Sequence, residues 1–150
     1  DRQVIGVFDS SKVEDLAQVL TNLGTKHAFV VAGRDGLDEL TLDGPSVVAE
    51  SNEGTVKTYE ITPEEVGFKP SSKATLIGGD AETNAAILRS VLDGEAGPKR
   101  DIVEFNAAAA LIAGGTASDW KSGIESARSS IDSGSAVKSL DAYVAYTQKV

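Results

Sequence analysis

The chain has 150 residues, with 23 acidic and 14 basic side chains, a formal net charge of −9 and no cysteine. This length can bury one core, which indicates a single domain or one lobe of a larger protein. The negative field argues against a duplex or an anionic membrane as partner, and the lack of cysteine excludes disulfides and thiolate metal sites.

The first third of the chain predicts a strand, a helix and a second strand. Residues 3–8 (QVIGVF) are typical of a buried strand, and so are residues 27–33 (HAFVVAG). Residues 9–24 carry polar N-cap candidates, an apolar stripe and a terminal glycine, which predict a helix. This order implies a parallel βαβ unit. Residues 34–39 (RDGLDE) then follow the carboxyl end of the second strand, where ligands of α/β sheets gather.

Shorter extended pieces follow at residues 39–42, 46–51 and 55–63. Turn residues separate them, and the sequence Asn-Glu-Gly at 52–54 predicts a hairpin. We therefore expect these pieces to form antiparallel strands beside the parallel core.

The remainder of the chain predicts four helices, within residues 78–94, 97–115, 118–134 and 136–148. The first has Asp80 as N-cap and Gly94 as stop, and the second starts at Pro98 and ends at Gly114-Gly115. The second is apolar on every face from Ala107 to Ala113, so it should be central. The predicted fold class is α/β, with a mixed, largely parallel sheet flanked by helices and a helical C-terminal part.

The adjacent acids Asp38 and Glu39 are the first candidate site. Mg²⁺ takes hard oxygen ligands and needs only one or two carboxylates from the protein. Adjacent residues on a strand point to opposite faces, so joint binding requires a turn, which Gly36 makes plausible. A solvated loop in which Asp38 caps a turn is the alternative, and spacing alone favours it.

Three other features suggest weaker candidates. The glycines before Asp80 could cradle a phosphate at a helix start, but an Asp80 N-cap would already occupy the amides. His27, the only histidine, has no metal-ligand spacing, so we expect a surface or strand-entry role. Lys99 and Arg100, near a helix start, could contact an anion, but the sequence favours a solvated helix end.

The aromatic residues in the last two predicted helices fall at helical core or rim spacings. Trp120, Tyr143 and Tyr146 are therefore expected to pack rather than to stack on nucleic-acid bases.

Together these segments resemble anthranilate phosphoribosyltransferase over essentially all 150 residues. The most specific motifs are DGLDE, the tail A..SIDSG.A...L and the long run GG…NAAILRSVLDGE.G..RD.V.FNAAAAL. The resemblance implies the C-terminal half of that enzyme, with residues 1–150 forming the C-terminal part of a catalytic domain of the nucleoside phosphorylase/phosphoribosyltransferase type.

The resemblance also implies a reaction. The family transfers the phosphoribosyl group of phosphoribosyl pyrophosphate to the amine of anthranilate, in tryptophan biosynthesis. It uses Mg²⁺ as cofactor, and the acid pair that holds this ion corresponds to Asp38 and Glu39. Family members often have histidine where this chain has Ala32, a departure that leaves the metal site intact.

The family's N-terminal helical domain and glycine-rich phosphate loop find no match in the chain. We therefore expect no other catalytic or cofactor-binding residues here, no turnover by the fragment alone, and a homodimer only for the full-length protein. The absence of methionine agrees with an internal start. No membrane span or signal peptide is apparent, so the expected compartment is the cytoplasm, or a plastid in a plant.

Two alternatives of different class share this fold. One is a pyrimidine-nucleoside-phosphorylase-like enzyme, which phosphorolysis of a pyrimidine nucleoside would reveal. The other is a non-catalytic nucleic-acid-binding relative, which would need a basic surface, and the net charge of −9 argues against it.

Overall fold

The computed structural model describes residues 1–149 and has the expected α/β architecture. Four strands and five α-helices alternate with loops and three short 3₁₀ turns. In chain order the elements are β1 (Arg2–Gly6), α1 (Val13–Asn22), β2 (His27–Gly33), β3 (Ser46–Asn52), β4 (Thr55–Ile61), α2 (Ala81–Leu92), α3 (Pro98–Gly114), α4 (Trp120–Asp132) and α5 (Ser135–Thr147).

The four strands form one mixed sheet in the order β1-β2-β3-β4. β1 pairs in parallel with β2, as the βαβ prediction requires, while β3 is antiparallel to both β2 and β4. The sheet is mixed as predicted, but only one of its three pairings is parallel, so it is not largely parallel within the described residues. The predicted hairpin is confirmed, and its turn uses positive φ at Glu53 and Gly54.

Two sequence-based assignments need correction. Residues 39–42 are not a strand but part of a loop, because the bonds of their backbone go to side chains such as Asn106 and Ser46. The sequence predicts a buried β1, yet it is the edge strand, with only Val4 and Ile5 half-buried. Phe8, beyond its end, is 80% exposed.

Helices cover the sheet on both faces. α1 lies over β2, β3 and β4 and packs Val13 and Ala17 into a small cluster with Val30 and Val47. On the other face α3 lies against β1 and β2, with α4 packed behind it. α3 is central, as its apolar sequence predicts, and Phe105 is fully buried in the larger cluster.

The aromatic residues divide into two groups. Trp120 packs against Phe29 and Phe105, with ring centroids 5.6 Å apart in both pairs, which confirms its predicted role. Tyr143 and Tyr146 are expected from the sequence to pack too, but they are 66% and 68% exposed on α5. No helix among residues 1–149 is long and apolar enough to cross a membrane.

Candidate metal site at the end of strand β2

The loop after β2 is a tight turn that reverses the chain at Gly36. The Gly36 amide donates to the Gly33 carbonyl at 3.0 Å, and the Gly33 amide donates to the Leu37 carbonyl at 2.8 Å. Gly36 has φ of +87°, a conformation that favours glycine. The turn that joint action of the acid pair requires is therefore present.

Asp35, the first acid of the loop, serves the loop itself. One carboxylate oxygen accepts from the Thr41 hydroxyl at 3.1 Å, and the other accepts from the Leu37 amide at 3.3 Å. Lys73 Nζ donates to the Asp35 carbonyl at 2.7 Å, which ties the turn to a neighbouring segment. Two of the three acids in RDGLDE are thus left available for a ligand.

The chain just after the acid pair is anchored to α3 by Asn106. Its Oδ1 accepts from the Leu40 amide at 3.0 Å, and its Nδ2 donates to the Leu40 carbonyl at 2.9 Å. Leu40 itself is fully buried. Sequence reasoning missed Asn106, although a polar residue within an otherwise apolar stretch of α3 was the available signal. Asn106 positions the acid pair without belonging to it.

β1 supports the loop from the other side through Gly6. A Cβ at this position would lie 1.5 Å from the Asp38 carbonyl oxygen, so only glycine allows the backbones to approach so closely. Because Asp38 rests on β1 and Leu40 is fixed to α3, the backbone of the acid pair is held at both ends.

The side chains of Asp38 and Glu39 are exposed, and within residues 1–149 neither carboxylate has a hydrogen bond or an ion pair. Both border a cleft of about 450 Å³ between β1, β2 and α3. The other lining residues are Val4, Gly6, Val31, Ile102, Val103 and Asn106. Both carboxylates are therefore free to bind a cation in this cleft.

The electrostatics of the pair also favour a cation. Partial desolvation raises the pKa of the Glu39 carboxyl above its usual value, and the negative charge of Asp38 raises it further. Glu39 is an exposed residue, so its carboxyl is only partly desolvated. A bound cation would relieve the repulsion between the two carboxylates.

The donor set fits Mg²⁺ as a partial site. Within residues 1–149 there is no group of three or more His, Asp or Glu side chains arranged to hold a metal. Mg²⁺ does not require one, since it commonly takes one or two carboxylates and completes its octahedron with water and substrate phosphate. The pair would therefore bind Mg²⁺ weakly when no phosphate ligand is present.

The remaining predicted candidates have structural roles. Asp80 caps α2, accepting from the Thr83 amide at 2.9 Å, so the phosphate-loop interpretation of residues 78–80 fails as expected. His27 is the first residue of β2, and its Nε2 lies 2.8 Å from Glu50 Oε1.

The sequence places Arg100 at a solvated helix end, but its side chain is only 12% exposed because it pairs with Glu104 and Asp132. Lys99 Nζ donates to the Ile77 carbonyl at 2.8 Å. Arg100 is therefore committed to this ion-pair network, whereas Lys99 lines a cleft that Glu39 also borders.

Comparison with known proteins agrees with this geometry. The family model described as the a/b domain of the glycosyl transferase family matches residues 1–137. The chain belongs to this glycosyl transferase family. The resemblance to anthranilate phosphoribosyltransferases stated from the sequence motifs is confirmed as well. The enzyme of that name from Rhodopseudomonas palustris (strain BisB5) is 51% identical over 146 residues, which are 97% of this chain and 43% of the relative.

Other relatives of this glycosyl transferase domain give the same result. The anthranilate phosphoribosyltransferase of Xanthobacter autotrophicus is 50% identical over 99% of this chain and 43% of its own length. The crystal structure of the Thermus thermophilus enzyme superposes with a TM-score of 0.87 at 38% identity, over 99% of this chain and 44% of that one. The chain thus spans less than half the length of these relatives.

A further solved structure includes ligands. The Saccharomyces cerevisiae anthranilate phosphoribosyltransferase in complex with PRPP and Mg has a TM-score of 0.87 and 25% identity, over 99% of this chain and 43% of that one. This α/β architecture therefore occurs in an enzyme that binds both the metal and the phosphoribosyl donor.

Proposed function

We propose that these residues are part of an anthranilate phosphoribosyltransferase, in which they form the C-terminal part of the α/β catalytic domain. The enzyme would transfer phosphoribosyl from phosphoribosyl pyrophosphate to the amine of anthranilate. The observation that carries this proposal is the anchored, unpaired acid pair at the end of β2. The relatives support it, since those compared above bear this name.

Asp38 and Glu39 would hold Mg²⁺ in the complete enzyme. The ion would offset the negative charge that develops on the diphosphate leaving group. The chain contributes a fixed position for the ligands, because the Asp35 turn, the Asn106 anchor and the Gly6 contact leave the backbone little freedom. Without bound Mg²⁺, the two free carboxylates would repel a diphosphate.

The chain alone should not turn over substrate. No Lys or Arg side chain lines the cleft that Asp38 and Glu39 share, and Lys99 lines only a neighbouring cleft that Glu39 borders without Asp38. A diphosphate and a ribose phosphate both need several cationic or amide donors, so most of these groups would come from the rest of the enzyme. Homodimerisation of the full-length protein, the absence of nucleic-acid binding and a cytoplasmic or plastid location remain predictions.

Steady-state kinetics of the full-length protein test the proposal. We expect the double variant Asp38→Asn, Glu39→Gln to lose about 10²–10³-fold in kcat at saturating Mg²⁺, since it removes electrostatic stabilisation of the leaving group. Glu125→Gln changes an exposed acid on α4 and should leave kcat unchanged. Undiminished Mg²⁺-dependent turnover in the double variant, or phosphorolysis of a pyrimidine nucleoside as the main activity, would contradict the proposal.

A further inference from the structure

A second cleft adjoins the cleft of the acid pair. It has a volume of about 430 Å³ and lies between α2 and α3, and we call it the α2 cleft. Glu39, Ile102 and Val103 line both clefts, so the two clefts meet at these side chains. A ligand held at Glu39 therefore has access to the α2 cleft as well.

Lys99 is the one cationic side chain among the described residues that line the α2 cleft. Apart from Glu39, the other lining residues are uncharged. Lys99 precedes Val103 by four residues on α3, so it lies about 6 Å before Val103 along the same face of the helix. Asn106, which anchors the chain after the acid pair, follows Val103 by three residues on that face. α3 therefore holds both Lys99 and the backbone beside the acid pair.

Lys99 differs from every other lysine of the chain in its burial. The other lysines are exposed, whereas Lys99 is half-buried. Within residues 1–149 it makes no ion pair, although the chain has 23 acidic residues and the adjacent Arg100 pairs with both Glu104 and Asp132. A lysine that is withdrawn from water is normally paired with an opposite charge. The burial of Lys99 thus indicates a counterion that the described part of the chain does not supply.

The ammonium group of Lys99 also has hydrogen-bonding capacity to spare. Its Nζ donates to the Ile77 carbonyl at 2.8 Å, and this is its one hydrogen bond within the described residues. An ammonium carries three N–H donors, so two of them remain. The Ile77 carbonyl is a neutral acceptor, and a phosphate oxygen would form a stronger, charge-assisted hydrogen bond.

The loop that accepts the Lys99 hydrogen bond is held independently by α2. Asn84 Oδ1 accepts from the Gly79 amide at 2.9 Å, and Asn84 Nδ2 donates to the Gly79 carbonyl at 2.9 Å. Gly78 lies against the same side chain, since a Cβ at this position would overlap Asn84 Oδ1. Because Asn84 fixes this loop, Lys99 is not needed to hold it in place.

We infer that Lys99 binds the diphosphate group of the phosphoribosyl donor, on the Glu39 side of the acid pair. This assignment rests on the proposed function, in which the acid pair holds Mg²⁺ and the ion meets a diphosphate. Lys99 donates its remaining N–H groups to a phosphate oxygen that enters the α2 cleft. Its charge offsets part of the repulsion between the diphosphate and the carboxylates, and part of the charge that develops on the leaving group.

Binding of magnesium pyrophosphate to the full-length protein, measured by isothermal titration calorimetry, tests this role. Lys99→Gln should weaken the binding about 10–100-fold, because it removes a charge-assisted hydrogen bond while its amide can still donate to the Ile77 carbonyl. Lys99→Arg keeps the charge and should retain most of the affinity. Mg²⁺ titrated without pyrophosphate should bind Lys99→Gln as it binds the unchanged protein, because the acid pair is untouched.

Steady-state kinetics give a second readout that a merely structural role would not produce. In Lys99→Gln we expect a higher KM for phosphoribosyl pyrophosphate and an unchanged KM for anthranilate. The matched control is Lys138→Gln, which removes an exposed charge from α5 outside both clefts and should change neither KM. Equal melting temperatures of the variants check that the fold survives.

Lys99 has no such role if Lys99→Gln binds magnesium pyrophosphate as tightly as the unchanged protein does. The same holds if Lys99→Arg loses as much affinity as Lys99→Gln, if Lys138→Gln weakens the binding equally, or if only the KM for anthranilate rises. Failure of the proposed function is a different result: the unchanged protein would then transfer no phosphoribosyl group to anthranilate.

Discussion

At the scale of single residues, similar side chains have different roles because of their neighbours. Asp35, Asp38 and Glu39 lie within five positions, and their spacing alone could not separate structural acids from ligands. The hydrogen bonds from Thr41 and Leu37 make this distinction, because they occupy Asp35 and leave the pair free. The role of Gly6 was also invisible in the sequence, since it depends on a residue 32 positions away.

Substitution at Gly6 tests the close contact between β1 and the acid loop. We expect Gly6→Ala to lower the free energy of unfolding by at least about 3 kcal/mol, because its Cβ would overlap the Asp38 carbonyl group. Gly114→Ala is the control, since its added Cβ would meet nothing closer than 3.7 Å. This substitution should stabilise the end of α3 by about 0.5–1 kcal/mol. Urea unfolding measures both, and similar values for the two variants would refute the contact.

The burial of Tyr59 makes the stability of the fold depend on pH. Desolvation is the main cause that raises its pKa from 10.0 to about 12. The folded chain then keeps a proton that the unfolded chain releases near pH 10, so this contribution to stability is complete below pH 10 and is lost as pH rises towards 12. Urea unfolding at pH 9, 10 and 11 should show the unchanged chain losing stability faster than Tyr59→Phe. Parallel losses in the two proteins would count against burial of the phenol.

At the scale of elements, the sequence predicted the strand and helix bounds that depend on neighbouring residues in the chain. β2 begins at His27 and ends at Gly33, as its apolar run indicated, and α3 begins at Pro98 and ends at Gly114, where proline and glycine favour a helix start and stop. The edge position of β1 and the looped path of residues 39–42 could not be predicted, because both depend on which partners the backbone finds in the tertiary structure.

The helices are also joined by a buried charge network centred on Glu104. This side chain is 2% exposed and accepts from Arg100 of α3 at 2.7 Å and from Arg128 of α4 at 2.9 Å. Arg100 in turn reaches Asp132 at the end of α4. The sequence did not indicate this network, because Glu is usually a surface residue, although Glu104 lies four positions before the buried Ala108.

Neutralising Glu104 tests how far the network holds α3 and α4 together. We expect Glu104→Gln to lower the free energy of unfolding by about 3 kcal/mol, since it leaves the buried charge of Arg100 undercompensated. Breaking the exposed Arg34–Glu60 pair by Glu60→Gln should cost less than about 1 kcal/mol. Thermal and urea unfolding compare the two variants, and equal costs would show that the network contributes no more than a surface pair.

At the scale of the whole molecule, the acid pair lies at the unpaired β1 edge of the sheet. Asp38 and Glu39 lie beside β1, and the cleft that they border is lined by β1 and α3 at the side where the sheet is unpaired. The chain therefore holds the proposed metal ligands in place, and no Lys or Arg side chain lines the cleft that the two acids share. The chain also covers less than half the length of its relatives.

We propose that Asp38 and Glu39 form a cation site whose geometry this chain already fixes. This site is tested by a titration of the ¹⁵N-labelled chain with Mg²⁺, followed by two-dimensional NMR. We predict weak saturable binding whose shifts concentrate at Gly6, residues 36–40 and Asn106, and whose shifts disappear in the variant Asp38→Asn, Glu39→Gln. Shifts spread over the acidic surface, or unchanged shifts in the double variant, would contradict the claim.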